Sequence, residues 1–105
     1  MDFNKFVEDY YQQYIRVLNS FDKASLEPVL DAFLKVRDNN GTLWVAGNGG
    51  SAAIGDHTVC DVTKGTHQDG QPTIKSISLS SNAAMLTALG NDLSYEDVFS
   101  QQLKY

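Results

Sequence analysis

With 105 residues, 42% hydrophobic and 20% charged, the chain has the composition of one small globular domain and not of a disordered segment. A formal net charge of −5, with no run of Lys or Arg, argues against nucleic acid or an anionic membrane as the main partner. No long apolar run and no basic-then-apolar leader occurs, so neither a membrane span nor a signal peptide is expected. The single cysteine, Cys60, excludes an internal disulfide and fits a reducing, cytoplasmic location.

From Asp2 to about Phe21, residues Phe3, Phe6, Val7, Tyr10, Tyr14, Val17, Leu18 and Phe21 recur at helical spacing and predict a long amphipathic helix. This aromatic stripe exceeds what one small core easily covers, so packing inward and packing on another subunit both stand as readings. A second helix is expected from Ser25 as N-cap, with Pro28 in its first turn and Val29, Leu30, Phe33, Leu34 and Val36 along it. Asp38-Asn39-Asn40-Gly41 should end it, with Gly41 as the residue after the cap.

Thr42-Leu43-Trp44-Val45-Ala46 then reads as a short buried strand. Gly47-Asn48-Gly49-Gly50 follows, residues that tolerate positive φ and let another group approach the backbone. Ser51 is placed as the N-cap of a third helix that begins with Ala52, Ala53 and Ile54 and runs to about Lys64-Gly65. A strand, a glycine-rich turn and a helix N-terminus together form a ready anion site, because free N–H groups and the positive helix end converge there. His57 and Asp61, spaced i,i+4, project from one face of that helix. Cys60, between them, reads most simply as a buried thiol.

The turn is not a P-loop, since no Gly-Lys-Ser/Thr follows it. Gly47, Gly49 and Ala52 do match G-x-G-x-x-A, the dinucleotide fingerprint. That motif wants an acidic residue near the end of the second strand, where this chain has Ser78-Leu79-Ser80-Ser81-Asn82. On these residues alone a phosphate site, a dinucleotide site and a plain structural turn all remain open.

Residues 65–72 form a polar loop containing His67 and Asp69, and Thr73 to Leu79 reads as a second strand. A helix separates the two strands, so a parallel pair is expected. Asn82 to Leu89 should be a short helix with Met85, Leu86 and Leu89 inward, stopped by Gly90-Asn91-Asp92. Ser94-Tyr95-Glu96-Asp97 resembles a capping box opening a last helix. Two parallel strands are few for an independent sheet, so the chain is expected to be a fragment or to complete its sheet with another polypeptide.

The loop Gly47-Asn48-Gly49-Gly50-Ser51, then His57 and Asp61, then Gly90-Asn91-Asp92 followed by Tyr95 and Phe99, resembles the N-terminal half of the phosphoheptose isomerases, single-domain members of the sugar isomerase (SIS) superfamily. A GNGGS loop with a His six residues after its Ser is more specific than either piece alone. The resemblance implies an SIS-like three-layer α/β fold with a parallel sheet and N-terminal helices, cut off after two strands. It divides the chain into residues 1–40, a helical assembly segment, and 41–105, the first half of an SIS-type domain. The implied partners are a sugar phosphate and further copies of the chain, as a dimer or tetramer.

The implied reaction interconverts sedoheptulose 7-phosphate and an aldose heptose 7-phosphate through an enediolate, which needs a base, an acid and stabilisation of the developing charge. Asn48, Gly49, Gly50, Ser51, Asn91 and Asp92 would bind substrate. His57 and Asp61 match two zinc-ligand positions, and Asp61, where the family has Glu, also stands at the position of the proposed general base. Zinc is therefore the cofactor the resemblance implies, although two ligands do not hold it alone. A non-catalytic sugar-phosphate-binding or scaffolding SIS protein is the alternative, since it would need the loop and the helices but not the acid–base pair.

Overall fold

A computed structural model describes all of residues 1–105. The chain divides into two compact units, Met1–Asp31 and Ala32–Tyr105. No helix is long and apolar enough to cross a membrane.

The first unit is dominated by α1, Phe3–Ser20, which Asp2 caps by accepting from the Lys5 N–H at 3.2 Å. None of its residues is buried, and Phe3, Phe6, Tyr10, Tyr14 and Val17 are all more than half exposed. Within the first unit the stripe is exposed. A 3₁₀ turn, Lys23–Leu26, precedes α2, Glu27–Asp38. Asp22, not Ser25, provides the cap, accepting from the Ala24 N–H at 3.1 Å. Ser25 instead donates its hydroxyl back to the Asp22 carbonyl.

At the end of α2, Asn40 and not Gly41 adopts the left-handed conformation, with φ of 53°. Gly41 N–H reaches the Val36 carbonyl at 2.8 Å and Asn40 N–H the Arg37 carbonyl at 3.1 Å, the paired bonds of a Schellman ending. Asn, whose short polar side chain bonds locally, is the usual alternative to glycine at this position. Asn40→Ala should accordingly cost about 1 kcal/mol, seen as a lowered melting temperature, and Asn40→Gly should cost nothing.

In the second unit β1, Thr42–Val45, pairs in parallel with β2, Lys75–Ser78, so that Trp44 lies beside Ile77 and Val45 beside Ser78. The parallel pairing is as expected, and both strands are shorter than the sequence suggested. Leu79 N–H adds a further rung to the Val45 carbonyl at 2.8 Å. The helix α3, Gly50–Cys60, lies against one face of this ribbon. At Gly55, which is buried, a Cβ would stand 3.2 Å from Val45 Cγ1, so the glycine lets helix and strand come close. Trp44 and Ile77 occupy the other face and are 48% and 46% exposed.

The helix continues past Cys60 as a π-helical turn, Asp61–Gly65. Hydroxyl groups fasten this wider turn to β2: Ser76 Oγ donates to the Val59 carbonyl at 3.1 Å and lies 2.7 Å from Thr63 Oγ1. The last helix of this unit, α4, spans Ala83–Asp92 and is capped by Asn82, which accepts from the Met85 N–H. Gly90 does not stop it. The expected final helix is replaced by 3₁₀ turns at Tyr95–Asp97 and Gln102–Lys104. Ser94 Oγ bonds the Asp97 carboxylate and not a backbone N–H, so the expected capping box does not form. Ile74, Leu79, Leu89 and Val98 form the buried apolar centre of this unit.

Candidate functional site

The carboxyl end of β1 runs directly into the glycine loop, which delivers the chain to the N-terminus of α3. Gly47 is there for space: a Cβ would meet the Ser51 carbonyl oxygen at 2.3 Å and the Ala52 nitrogen at 2.9 Å. The turn folds the start of the helix back onto this residue, and only glycine fits beneath it. Gly47→Ala should therefore destabilise the unit by at least about 2 kcal/mol, measurable as a shifted urea midpoint.

Gly49 is there for conformation. It stands at the cap position with φ of 55° and ψ of −124°, a backbone geometry in which side chains are strained. The helix thus begins at Gly50, and Ser51 is its second residue and not its N-cap as expected. Ser51 and Ala52 N–H groups are taken up by the Asn48 and Gly49 carbonyls, at 3.0 and 3.1 Å. The Gly49 and Gly50 N–H groups make no backbone hydrogen bond. Both glycines are exposed, and a Cβ on either would meet nothing within 4 Å, so the space beside the loop backbone is open. Two free amides beside the positive end of an 11-residue helix are suited to an anion.

Two contacts hold the loop from outside, and sequence reasoning foresaw neither. Ser80 Oγ donates to the Gly47 carbonyl at 2.6 Å and accepts from the Gly47 N–H at 3.1 Å, clasping the ends of the two strands. The serine-rich run after β2 was the available signal. Tyr95 Oη donates to Asn48 Oδ1 at 2.7 Å, bringing the turn after α4 to the loop.

His57 and Asp61 do meet on the face of α3, with Nε2 3.4 Å from Oδ2 and side chains 77% and 67% exposed. Asp61 is where the helix widens from α to π geometry. An imidazole and a carboxylate are donors that zinc accepts, but zinc takes three or four. No third His, Cys, Asp or Glu joins the pair, so these residues do not by themselves make a zinc site. Cys60 is exposed, contrary to the buried thiol expected. It follows Val59, whose face turns toward β2, and so falls on the solvent side.

Asn91 and Asp92 are the last two residues of α4 and not part of a loop. Both are exposed, and Asn91 Nδ2 donates to Asp92 Oδ1 at 2.9 Å. They are bonded to each other and not to the loop; it is Tyr95, three residues beyond Asp92, that reaches it. His67 stays in the polar loop, with Nδ1 2.8 Å from Thr73 Oγ1 and Nε2 3.4 Å from Asp69.

No family model matches the chain. Among curated proteins it is 31% identical over 101 residues to the phosphoheptose isomerase of Neisseria gonorrhoeae, covering 93% of this chain and 51% of that protein. It is 33% identical over 106 residues to the phosphoheptose isomerase of Aneurinibacillus thermoaerophilus, covering 96% and 53%. The solved structure of the Neisseria gonorrhoeae phosphoheptose isomerase superposes with a TM-score of 0.77 at 29% identity, over 96% of this chain and 53% of the other. The chain spans about half the length of the curated relatives it matches, and it shares the fold of that half.

Proposed function

We propose that this chain provides the substrate-loop half of a sugar-phosphate isomerase of the phosphoheptose isomerase type, acting on sedoheptulose 7-phosphate and its aldose isomer. The observation that carries this reading is the open pair of amides at Gly49 and Gly50, on the same helix as the His57–Asp61 pair. The match to the phosphoheptose isomerases extends across both. At about 1.5 Å per residue, His57 and Asp61 stand about 10 and about 16 Å along α3 from Gly50. Loop and pair thus lie along one helix, the amides and the helix dipole suited to anionic oxygens of a ligand and the pair to proton transfer.

In this reading Asp61 takes the proton from the carbon next to the carbonyl and returns it to the neighbouring carbon. His57 stands beside it, with Nε2 3.4 Å from Oδ2. Ser51 lies at the helix entrance beside the phosphate, and Asn91 and Asp92 belong to the segment that approaches the loop through Tyr95. A zinc ion would find two donors here, His57 and Asp61, and would need at least one more beyond them. The carbon-to-carbon proton transfer is assigned to the carboxylate, and the matching transfer of the hydroxyl proton to the former carbonyl oxygen calls for a separate acid.

By itself the 105-residue chain should bind sedoheptulose 7-phosphate weakly and turn it over little or not at all. Isothermal titration and a ketose-to-aldose assay test the two statements separately. Binding without turnover, even when the C-terminal half of a relative is added, would favour the non-catalytic alternative. No binding at all would defeat the reading.

The α1 stripe is proposed as an assembly surface between copies of the chain, because Phe3, Phe6, Tyr10 and Tyr14 leave a larger apolar face exposed than a soluble monomer usually carries. Light scattering should report a dimer or larger, and Tyr10→Asp together with Tyr14→Asp should shift it to monomer. A folded monomer of the unaltered chain at micromolar concentration would count against assembly.

A further inference from the structure

We propose that Tyr95 is a positioning residue: its hydroxyl fixes the direction of the Asn48 side-chain amide, so that both N–H donors of that amide face an anionic ligand over the loop. This rests on the sugar-phosphate reading of the loop but adds a residue and a polarity to it. A primary amide has an accepting oxygen and a donating nitrogen of nearly the same shape. On an exposed loop it can present either end. Presenting the oxygen to a phosphate or an enediolate would be repulsive, and presenting the nitrogen would supply two donors.

Tyr95 weights that choice, because its phenol hydroxyl, although able to accept from the amide NH₂, is the better donor and here donates. Its Oη donates to Asn48 Oδ1 at 2.7 Å, which occupies the oxygen and turns the NH₂ group away from the phenol. Asn48 follows Gly47, whose N–H and carbonyl are fastened by Ser80. Tyr95 is anchored as firmly. It opens the 3₁₀ turn Tyr95–Asp97, which the Ser94–Asp97 bond closes at 2.9 Å and the buried Val98 follows. Gly90 lies beside the ring, where a Cβ would stand at an ordinary contact distance of 3.9 Å from Tyr95 Cδ2. The ring is 66% exposed, so it contributes little to the apolar core, and its polar end carries the only directed contact. This contact joins positions 47 residues apart and links the turn after α4 to the loop after β1.

Tyr95→Phe deletes the hydroxyl and leaves the ring. Affinity for sedoheptulose 7-phosphate, measured by titration of the whole chain, should fall about 3- to 10-fold, the scale of one net hydrogen bond. In an Asn48→Ala background the same substitution should cause no further loss, because its effect passes through the amide. Independently of any ligand, the Asn48 side-chain NH₂ resonances should move in Tyr95→Phe, with backbone resonances elsewhere in the unit unchanged. Unmoved Asn48 amide resonances overturn the proposal whatever the ligand does. Equal losses with and without Asn48 overturn it as well, since they would mark Tyr95 as acting through the fold alone. If the unaltered chain binds no sugar phosphate while the amide resonances still move, the functional reading fails and the orienting bond survives it.

Discussion

Asp61→Asn should slow ketose-to-aldose conversion about 10²- to 10⁴-fold when the chain is complemented with the C-terminal half of a phosphoheptose isomerase, the loss typical of a removed general base. The substitution keeps the size and planarity of the side chain and removes its ability to accept a proton. Substrate affinity should stay within about threefold, because the loop amides are untouched. Stability should also change little: the His57–Asp61 pair is exposed at 77% and 67%, and ion pairs of that exposure contribute at most about 1 kcal/mol. Undiminished turnover in Asp61→Asn would remove the carboxylate from the reaction. A loss of binding equal to the loss of rate would make Asp61 a ligand-holding group instead.

Gly50→Val should abolish measurable sugar-phosphate binding, a loss of at least about tenfold, with the fold retained. Gly49→Val should abolish it too but is the poorer probe. Gly49 has φ of 55°, so any side chain strains the turn as well as filling the approach. Gly50 has no such conformation, and a side chain there projects into open space. Circular dichroism and melting should therefore separate the two variants: Gly50→Val folded and silent, Gly49→Val destabilised and silent. Unchanged affinity in a folded Gly50→Val would show that no ligand approaches those amides, and the loop would revert to a structural turn.

What the sequence made legible followed from local rules. The periodicity of α1, the strand–glycine–helix order and the parallel pairing each rest on contiguous residues, and each is present. The pairing of His57 with Asp61 was equally readable, because i,i+4 spacing alone puts two side chains together on a helix. The errors arose where several residues could do one job. Asp22 took the cap from Ser25, Asn40 took the left-handed position from Gly41, and the helix entered at Gly50 before Ser51 could cap it. The site contacts that escaped notice, Ser80 to Gly47 and Tyr95 to Asn48, span 33 and 47 residues, and no local pattern encodes either. The π turn at Asp61 was unreadable for a similar reason, since hydroxyls on β2 hold it and not the helix's own sequence.

The uncovered side of the two-stranded ribbon gives this protein a built-in optical probe. Trp44 is the sole tryptophan of the chain, and it sits on that side next to Ile77 with about half its surface in water. Its fluorescence in the isolated chain should therefore peak toward the red, as indoles in contact with water do. Any polypeptide that came to rest on this side would strip water from the indole and move the emission to the blue. A titration followed at this one wavelength would read out the stoichiometry of that event without a label, while α3, on the opposite side of the strands, and the loop at the carboxyl end of β1 stayed spectroscopically dark.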